Sequence, residues 1–271
     1  MNQSFPERES STPLSQPELV SSSERVPAPQ QVRIQMPFLV PKVTYAIIGF
    51  TVFVYILQVL SVGLFGYAAG RADWLEYFGA RINELIRAGQ LWRFITPAFL
   101  HASPTHIFFN MYALFSIGSL LEKHYGHARF ALLYFLGAFS GNVFSFLFGS
   151  DSGFSVGAST AVFGLITAEI VFFYQNRKLF GSYARQAITN TGVVIALNLF
   201  LSLTPGIDGW GHIGGLLGGG MFAWFASPLW KVVGLPPEVK LEDERDIRDW
   251  GVGTAVVLLV FGALAMWGMF K

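Results

Sequence analysis

The sequence predicts an all-α polytopic membrane protein, and three observations carry that prediction. Of its 271 residues, 52% are hydrophobic and only 13% are charged, where a soluble domain carries about a quarter charged. The mean hydropathy is +0.48. Beyond Val43 the apolar residues fall into stretches of membrane-spanning length, punctuated by glycine, proline and short charged turns.

Taken in order, the first 30 residues hold seven serines, five prolines and four glutamates, with no apolar run that resembles a secretory signal. Residues 1–35 therefore read as a disordered cytoplasmic tail, a solvated extension. Residues 36–230 read as a helical core, with apolar spans at 43–62, 105–121, 128–149, 158–174, 187–203 and 210–227. Residues 231–250 read as a charged cytoplasmic linker, and 251–271 as a seventh transmembrane helix. At 1.5 Å per residue the shorter spans just cross a hydrocarbon core of about 30 Å, which leaves room for water above their ends. The long first loop, 63–104, mixes Arg71, Asp73, Glu76, Arg81, Glu84, Arg87 and Arg93 with Trp74, Tyr77, Phe78, Trp92 and Phe94. Indole and phenol rings favour the headgroup level, so this loop is expected to be an amphipathic structure lying at the membrane interface.

Charge sets the orientation and removes several function classes. With the tail inside, Lys42, Lys123, Arg129, Arg177, Lys178, Arg185, Lys231, Lys240, Arg245 and Arg248 all lie at cytoplasmic ends or loops. The loops near Asp151 and Asp208 carry no Lys or Arg and are assigned outside, as is the C terminus. The expected location is the plasma (inner) membrane, with the lipid bilayer as surroundings. A net charge of +1 without a long basic run gives no basis for a nucleic-acid partner. The absence of cysteine excludes disulfides, a thiol nucleophile and thiolate metal sites. No His-Glu-x-x-His is present, since Ala102–Thr105 supply no carboxylate between His101 and His106, and neither a metal nor a cofactor is expected. The sequence contains no Gly-x-Ser-x-Gly elbow and no matching pair of broken half-repeats of the transporter kind.

A polar group within hydrocarbon has to be paired, hydrated by a cavity or functional, so the few such residues are the candidates for chemistry. His106 and Asn110 lie one helical turn apart on one face at the start of the second span. Ser159 opens the fourth span after a glycine-rich approach ending in Gly157, where the free N–H groups of a first turn stabilise negative charge. Taken alone, a serine there is usually a helix cap. His212 opens the sixth span, in which Gly211, Gly215 and Gly219 recur at four-residue spacing beside Gly214 and Gly218. Such rows let a neighbouring helix approach closely, as a serine–histidine contact requires. With the tail inside, all three spans begin outside, so His106, Asn110, Ser159 and His212 share one level of the bundle. The chemistry this grouping supports is acyl transfer to water: Ser159 as nucleophile, His212 as general base, and Asn110, His106 and the Ser159 N–H around the oxyanion. Glu122 and Glu169 fall toward the other ends of their spans and Asp208 falls in an outer loop, so the expected unit is a Ser–His dyad. Glu122 is expected to tie a loop or neighbouring helix.

In Gly89-Gln-Leu-Trp-Arg-Phe-Ile-Thr96, His101 to Asn110, Gly157-Ala-Ser159 and Gly211-His-Ile-Gly-Gly215, the chain resembles the rhomboid family of intramembrane serine proteases. The resemblance runs from about Val40 to Ala226 and implies a six-helix bundle, to which the seventh span is an addition. It implies Ser159 and His212 as the catalytic pair, with His106 and Asn110 assisting the Ser159 N–H. It also implies that Trp92 and Arg93 anchor the first loop, that Glu122 makes a structural bond, and that Phe163 packs against His212 where relatives usually have tyrosine. The implied substrates are membrane proteins with a transmembrane helix; oligomeric state is not implied. In one departure, Thr160 follows the nucleophile where the family usually has glycine. Its β-branched side chain is expected to narrow the oxyanion site or add a competing hydroxyl there. A catalytically inactive relative that binds membrane helices is the alternative on the same fold.

Overall fold

The structure is a computed structural model, which describes residues 39–65, 73–151, 153–235 and 239–271. The tail at 1–35, Arg71 of the first loop and positions 236–238 of the charged linker lie outside the described residues.

Helix α1 (Lys42–Phe65) is mostly apolar, yet what it buries is largely polar. Thr44, Ile47, Thr51 and Gln58 form its buried stripe at helical spacing, while Phe50, Phe53, Val59 and Leu60 are exposed. The stripe attaches α1 at both ends. Glu122 accepts hydrogen bonds from the Val43 and Thr44 N–H groups and from Thr44 Oγ1 at 2.6–2.8 Å. Gln58 exchanges bonds with the backbone of His101 and donates to Asp73.

The first loop is ordered over its described part. It runs through α2 (Trp74–Gly79), β1 (Arg81–Ile82), α3 (Asn83–Arg87) and two tight turns at Leu91–Phe94 and Thr96–Phe99. Asp73 caps α2 by accepting from the Glu76 N–H at 2.8 Å. Arg93, 1% exposed, donates to the Ala80 and Tyr77 carbonyls and to the Gln90 side chain. The Trp92 indole donates to the Phe78 carbonyl at 3.1 Å and stacks on the Phe78 ring. Five donors in a planar fork suit Arg93 to gathering carbonyls that would otherwise be orphaned.

Helix α4 (Pro104–Ala113) starts with Ser103 as cap and Pro104 in its first turn. It widens into a π-type turn at Leu114–Gly118 and continues as α5 (Ser119–Tyr125). Next come α6 (His127–Phe148), the short strand β2 (Phe154–Ser155) and α7 (Ser159–Gln175). Strand β2 pairs antiparallel with β1, Arg81 opposite Ser155, and so joins the first loop to the approach to α7. Asp151, in that approach, accepts from Asn83 and Arg87, and these donors hold its carboxyl below the usual carboxylate range. Helix α8 (Arg177–Leu201) begins well before the expected 187, because its first turns carry Arg177, Lys178 and Arg185 and so read as a loop; its backbone breaks at Gly181, φ 56°. Helix α9 (Gly209–Ala226) follows. The segment read as a linker holds an antiparallel pair, β3 (Trp230–Val233) and β4 (Lys240–Asp243), before α10 (Ile247–Met269) opens on a capping box of Asp246 and Asp249.

Helices α6, α7 and α9 form the centre. The two glycine rows of α9 face two different neighbours. A Cβ at Gly215 would drive into the Thr160 carbonyl oxygen of α7, and one at Gly214 would meet Ser140 and Phe144 of α6. Helix α10 covers α6 and α9, burying Val257 and Phe261, the latter 5.7 Å from the Phe144 ring. By length and composition, Lys42–Gly63 of α1, α6 and α10 can each cross a bilayer, and the chain is an integral membrane protein with a largely helical fold.

Candidate active site

Ser159 and His212 come together because α7 and α9 both begin at one end of the glycine-lined centre. Ser159 Oγ lies 3.0 Å from His212 Nε2. Among the described residues no side chain caps α7, and the Ser159 hydroxyl is engaged with the imidazole instead. His212 is 7% exposed, and the Phe163 ring, one turn along α7 from Ser159, stacks on it at 4.1 Å and 12°. That contact fixes the plane of the imidazole while leaving both ring nitrogens in reach of hydroxyls.

Gly157 shapes the approach. Its φ of +132° is one that side-chain-bearing residues avoid. A Cβ there would also lie 2.7 Å from His106 Nε2 and 3.7 Å from Ser159 Oγ, so both atoms border one small space that glycine leaves open. His106 thus reaches the neighbourhood of Ser159. Asn110, one turn further, is buried and gives an amide N–H to the His106 carbonyl at 3.0 Å, which spends one of its two N–H donors within α4. His101, 1% exposed, lies edge-on to His106 with Nε2 3.4 Å from the Ala158 N–H.

Asp208 acts as a hub. It caps α9 through the Gly211 N–H at 2.9 Å, and its other carboxylate oxygen accepts from Ser145 of α6 and Ser155 of β2. Glu122 lies away from the site, on the amino end of α1, with His127 Nδ1 at 2.5 Å. Gly215 sits under Thr160 at the α7–α9 contact. Trp92 and Arg93 organise the first loop and make none of the contacts around Ser159.

Thr160 differs from expectation. Its Cβ and Cγ2 point at Gly141 of α6 and Gly211 of α9, and its buried Oγ1 has no hydrogen-bond partner among the described residues. Successive helical residues are about 100° apart, so once Ser159 faces His212, Thr160 turns into the helix contact and does not narrow the space beside Ser159.

One neighbour was not foreseen: Ser202, at the end of α8, places Oγ 2.7 Å from His212 Nδ1. Only a hydroxyl at the close of a span, ten residues before His212, marks it in the sequence.

Residues 88–229 match the rhomboid domain. The chain belongs to the rhomboid family. Among rhomboid relatives, it is 38% identical over 180 residues to Rhomboid protease GluP of Bacillus subtilis, a match covering 66% of this chain and 34% of the relative. It is 38% identical over 155 residues to Rhomboid-like protease 1 of Toxoplasma gondii, covering 55% and 51%. With RHOMBOID-like protein 9, chloroplastic, of Arabidopsis thaliana it shares 35% identity over 153 residues, covering 56% and 35%. This rhomboid therefore aligns with about a third to a half of the length of these relatives.

Proposed function

We propose that the chain is an intramembrane serine endopeptidase that hydrolyses peptide bonds in or near transmembrane segments of membrane proteins. The observation that carries this reading is the 3.0 Å approach of Ser159 Oγ to His212 Nε2 at the first turn of a helix. In the proposed reaction, His212 Nε2 takes the Ser159 proton as Oγ attacks the scissile carbonyl carbon. The oxyanion forms against the Ser159 N–H with His106 and Asn110, and the same proton then passes from Nε2 to the leaving amine. Water repeats the sequence on the acyl-enzyme, with His212 again as base. Two relatives carry protease in their names, which supports the reading for this chain.

The membrane arrangement belongs to the same proposal. Helices α1, α4–α5, α6, α7, α8 and α9 form a six-span core, residues 36–230, with the first loop at the interface. The tail at 1–35 and the segment at 231–250 are cytoplasmic, and α10 within 251–271 is a seventh span that puts the C terminus outside. Ser159 then faces the outer side, where water enters.

Detergent-purified protein is expected to react with a fluorophosphonate probe and to cleave a reporter transmembrane segment, with both lost in Ser159→Ala and His212→Ala. If wild type and Ser159→Ala are equally unlabelled and neither cleaves, the chain is the inactive, helix-binding alternative.

A further inference from the structure

The protease reading uses one nitrogen of His212, and the other is also engaged. His212 Nδ1 lies 2.7 Å from Ser202 Oγ, and Ser202 Oγ lies 2.7 Å from the Asn198 carbonyl oxygen. The second contact decides the first. A carbonyl cannot donate, and two oxygens held that close need a proton between them, so the single Ser202 hydroxyl hydrogen is directed at Asn198. What Ser202 Oγ then presents to His212 is a lone pair, and a ring nitrogen at 2.7 Å from a lone pair has to carry a hydrogen. The proton therefore sits on Nδ1, Nε2 is bare, and Ser159, at 3.0 Å, donates to it.

Resting on the protease reading, we infer that Ser202 is a positioning residue: it holds His212 in the Nδ1–H tautomer and steadies the imidazolium formed when Ser159 gives up its proton. No proton travels through Ser202. The Ser159 proton moves to Nε2 and on to the leaving amine, while Nδ1–H and the Ser202 hydroxyl keep theirs. The nearby carboxylate, Asp208, is committed to Ser145, Ser155 and the Gly211 N–H, which leaves the orienting task to a neutral hydroxyl. A hydroxyl costs less to bury at membrane depth than a second carboxylate would. Packing supports the assignment: Phe163 fixes the ring plane, and a Cβ at Gly209 would lie 3.3 Å from Ser202 Cβ, so glycine there keeps the α8–α9 turn tight enough for the contact.

The test compares Ser202→Val with Ser202→Thr in the full chain, two side chains of one shape that differ in the hydroxyl. Relative to wild type, Ser202→Val is expected to lose roughly 10- to 100-fold in kcat and in the rate of fluorophosphonate labelling, the scale of one hydrogen bond to a charged partner, with KM unchanged. Ser202→Thr is expected to restore most of that rate. Equal rates in the Val and Thr variants, whether both high or both low, overturn the inference. The 15N spectrum of histidine-labelled protein, with His212→Gln to identify the signal, reads the tautomer without relying on activity. It should show protonated Nδ1 in wild type and in Ser202→Thr, and loss of that single form in Ser202→Val; Nε2–H in wild type overturns the inference. Failure of the protease reading is a separate result, seen as absent Ser159-dependent labelling in wild type while the 15N experiment still decides the tautomer.

Discussion

Gly215 on α9 has no room for a methyl group, because a Cβ there would fall on the Thr160 carbonyl oxygen, whereas around Gly192 on α8 no atom of the described residues lies within 4 Å of the same added atom. The contrast extends across the two regions. In α6, α7 and α9, glycines at 137, 141, 164, 214, 215, 218 and 219 all face backbone or the first atoms of a side chain. Helices α1 and α8 instead show open glycines and outward Phe53, Leu197 and Phe200, and α8 buries only Ala184 and Thr191. Where hydrocarbon surrounds a bundle, apolar surface gains little by leaving lipid for protein, so tight packing and polar ties hold helices together. The centre uses the first device and the periphery the second. Ser159 and His212 stand on the tightly packed centre, and Ser202 is supplied from the periphery.

Substitutions at the two kinds of position break or sharpen that comparison. Gly215→Val should have the largest effect, forcing α7 from α9, lowering stability by upward of about 3 kcal/mol and abolishing Ser159 labelling. Unfolding in mixed micelles measures the first and the fluorophosphonate probe the second; a stable, labelled variant would refute close packing as the device that positions the pair. Glu122→Ala removes the acceptor of Val43 N, Thr44 N and Thr44 Oγ1 and should cost about 2–3 kcal/mol, with faster hydrogen exchange at those two amides. Protected amides in that variant would show that α1 is held by packing alone. Thr160→Val deletes a buried hydroxyl that has no partner among the described residues and should raise stability by about 1 kcal/mol; a loss of stability instead would mean the hydroxyl is bonded. Gly192→Ala should change least, a gain below about 1 kcal/mol from helix propensity, and a large loss would mean that α8 is packed as tightly as the centre.

Much of this was legible in the sequence, and the remainder was hidden for physical reasons. The glycine spacing in Gly211–Gly219 announces close approach, and the structure adds only that two rows meet two different helices. Each apolar stretch is helical, because a span with no water must satisfy its own backbone bonds. The His106 and Ser159 neighbourhood was readable because polar groups are so scarce there. Three features were not readable. The β3–β4 pair rests on strands four residues long, too short for alternation to stand out among charges. The direction of Thr160 depends on which face of α7 turns to α9, which pattern alone does not specify. Ser202 belongs to a different helix from the residue it touches, and a single serine at the end of an apolar stretch carries no signal until the α8–α9 turn folds it back.

Asp208 sets a timetable for the chain's synthesis. Its carboxylate joins Ser145, Ser155 and the first turn of α9, and in sequence it lies 63 residues after Ser145 and 53 after Ser155. A chain growing from its N terminus therefore carries Ser159 without the Asp208 tie and without the His212 imidazole until α9 has left the ribosome. The staple and the base arrive together within four residues, Asp208 and His212. A truncated product ending before that point carries the serine but has neither the clamp nor the imidazole.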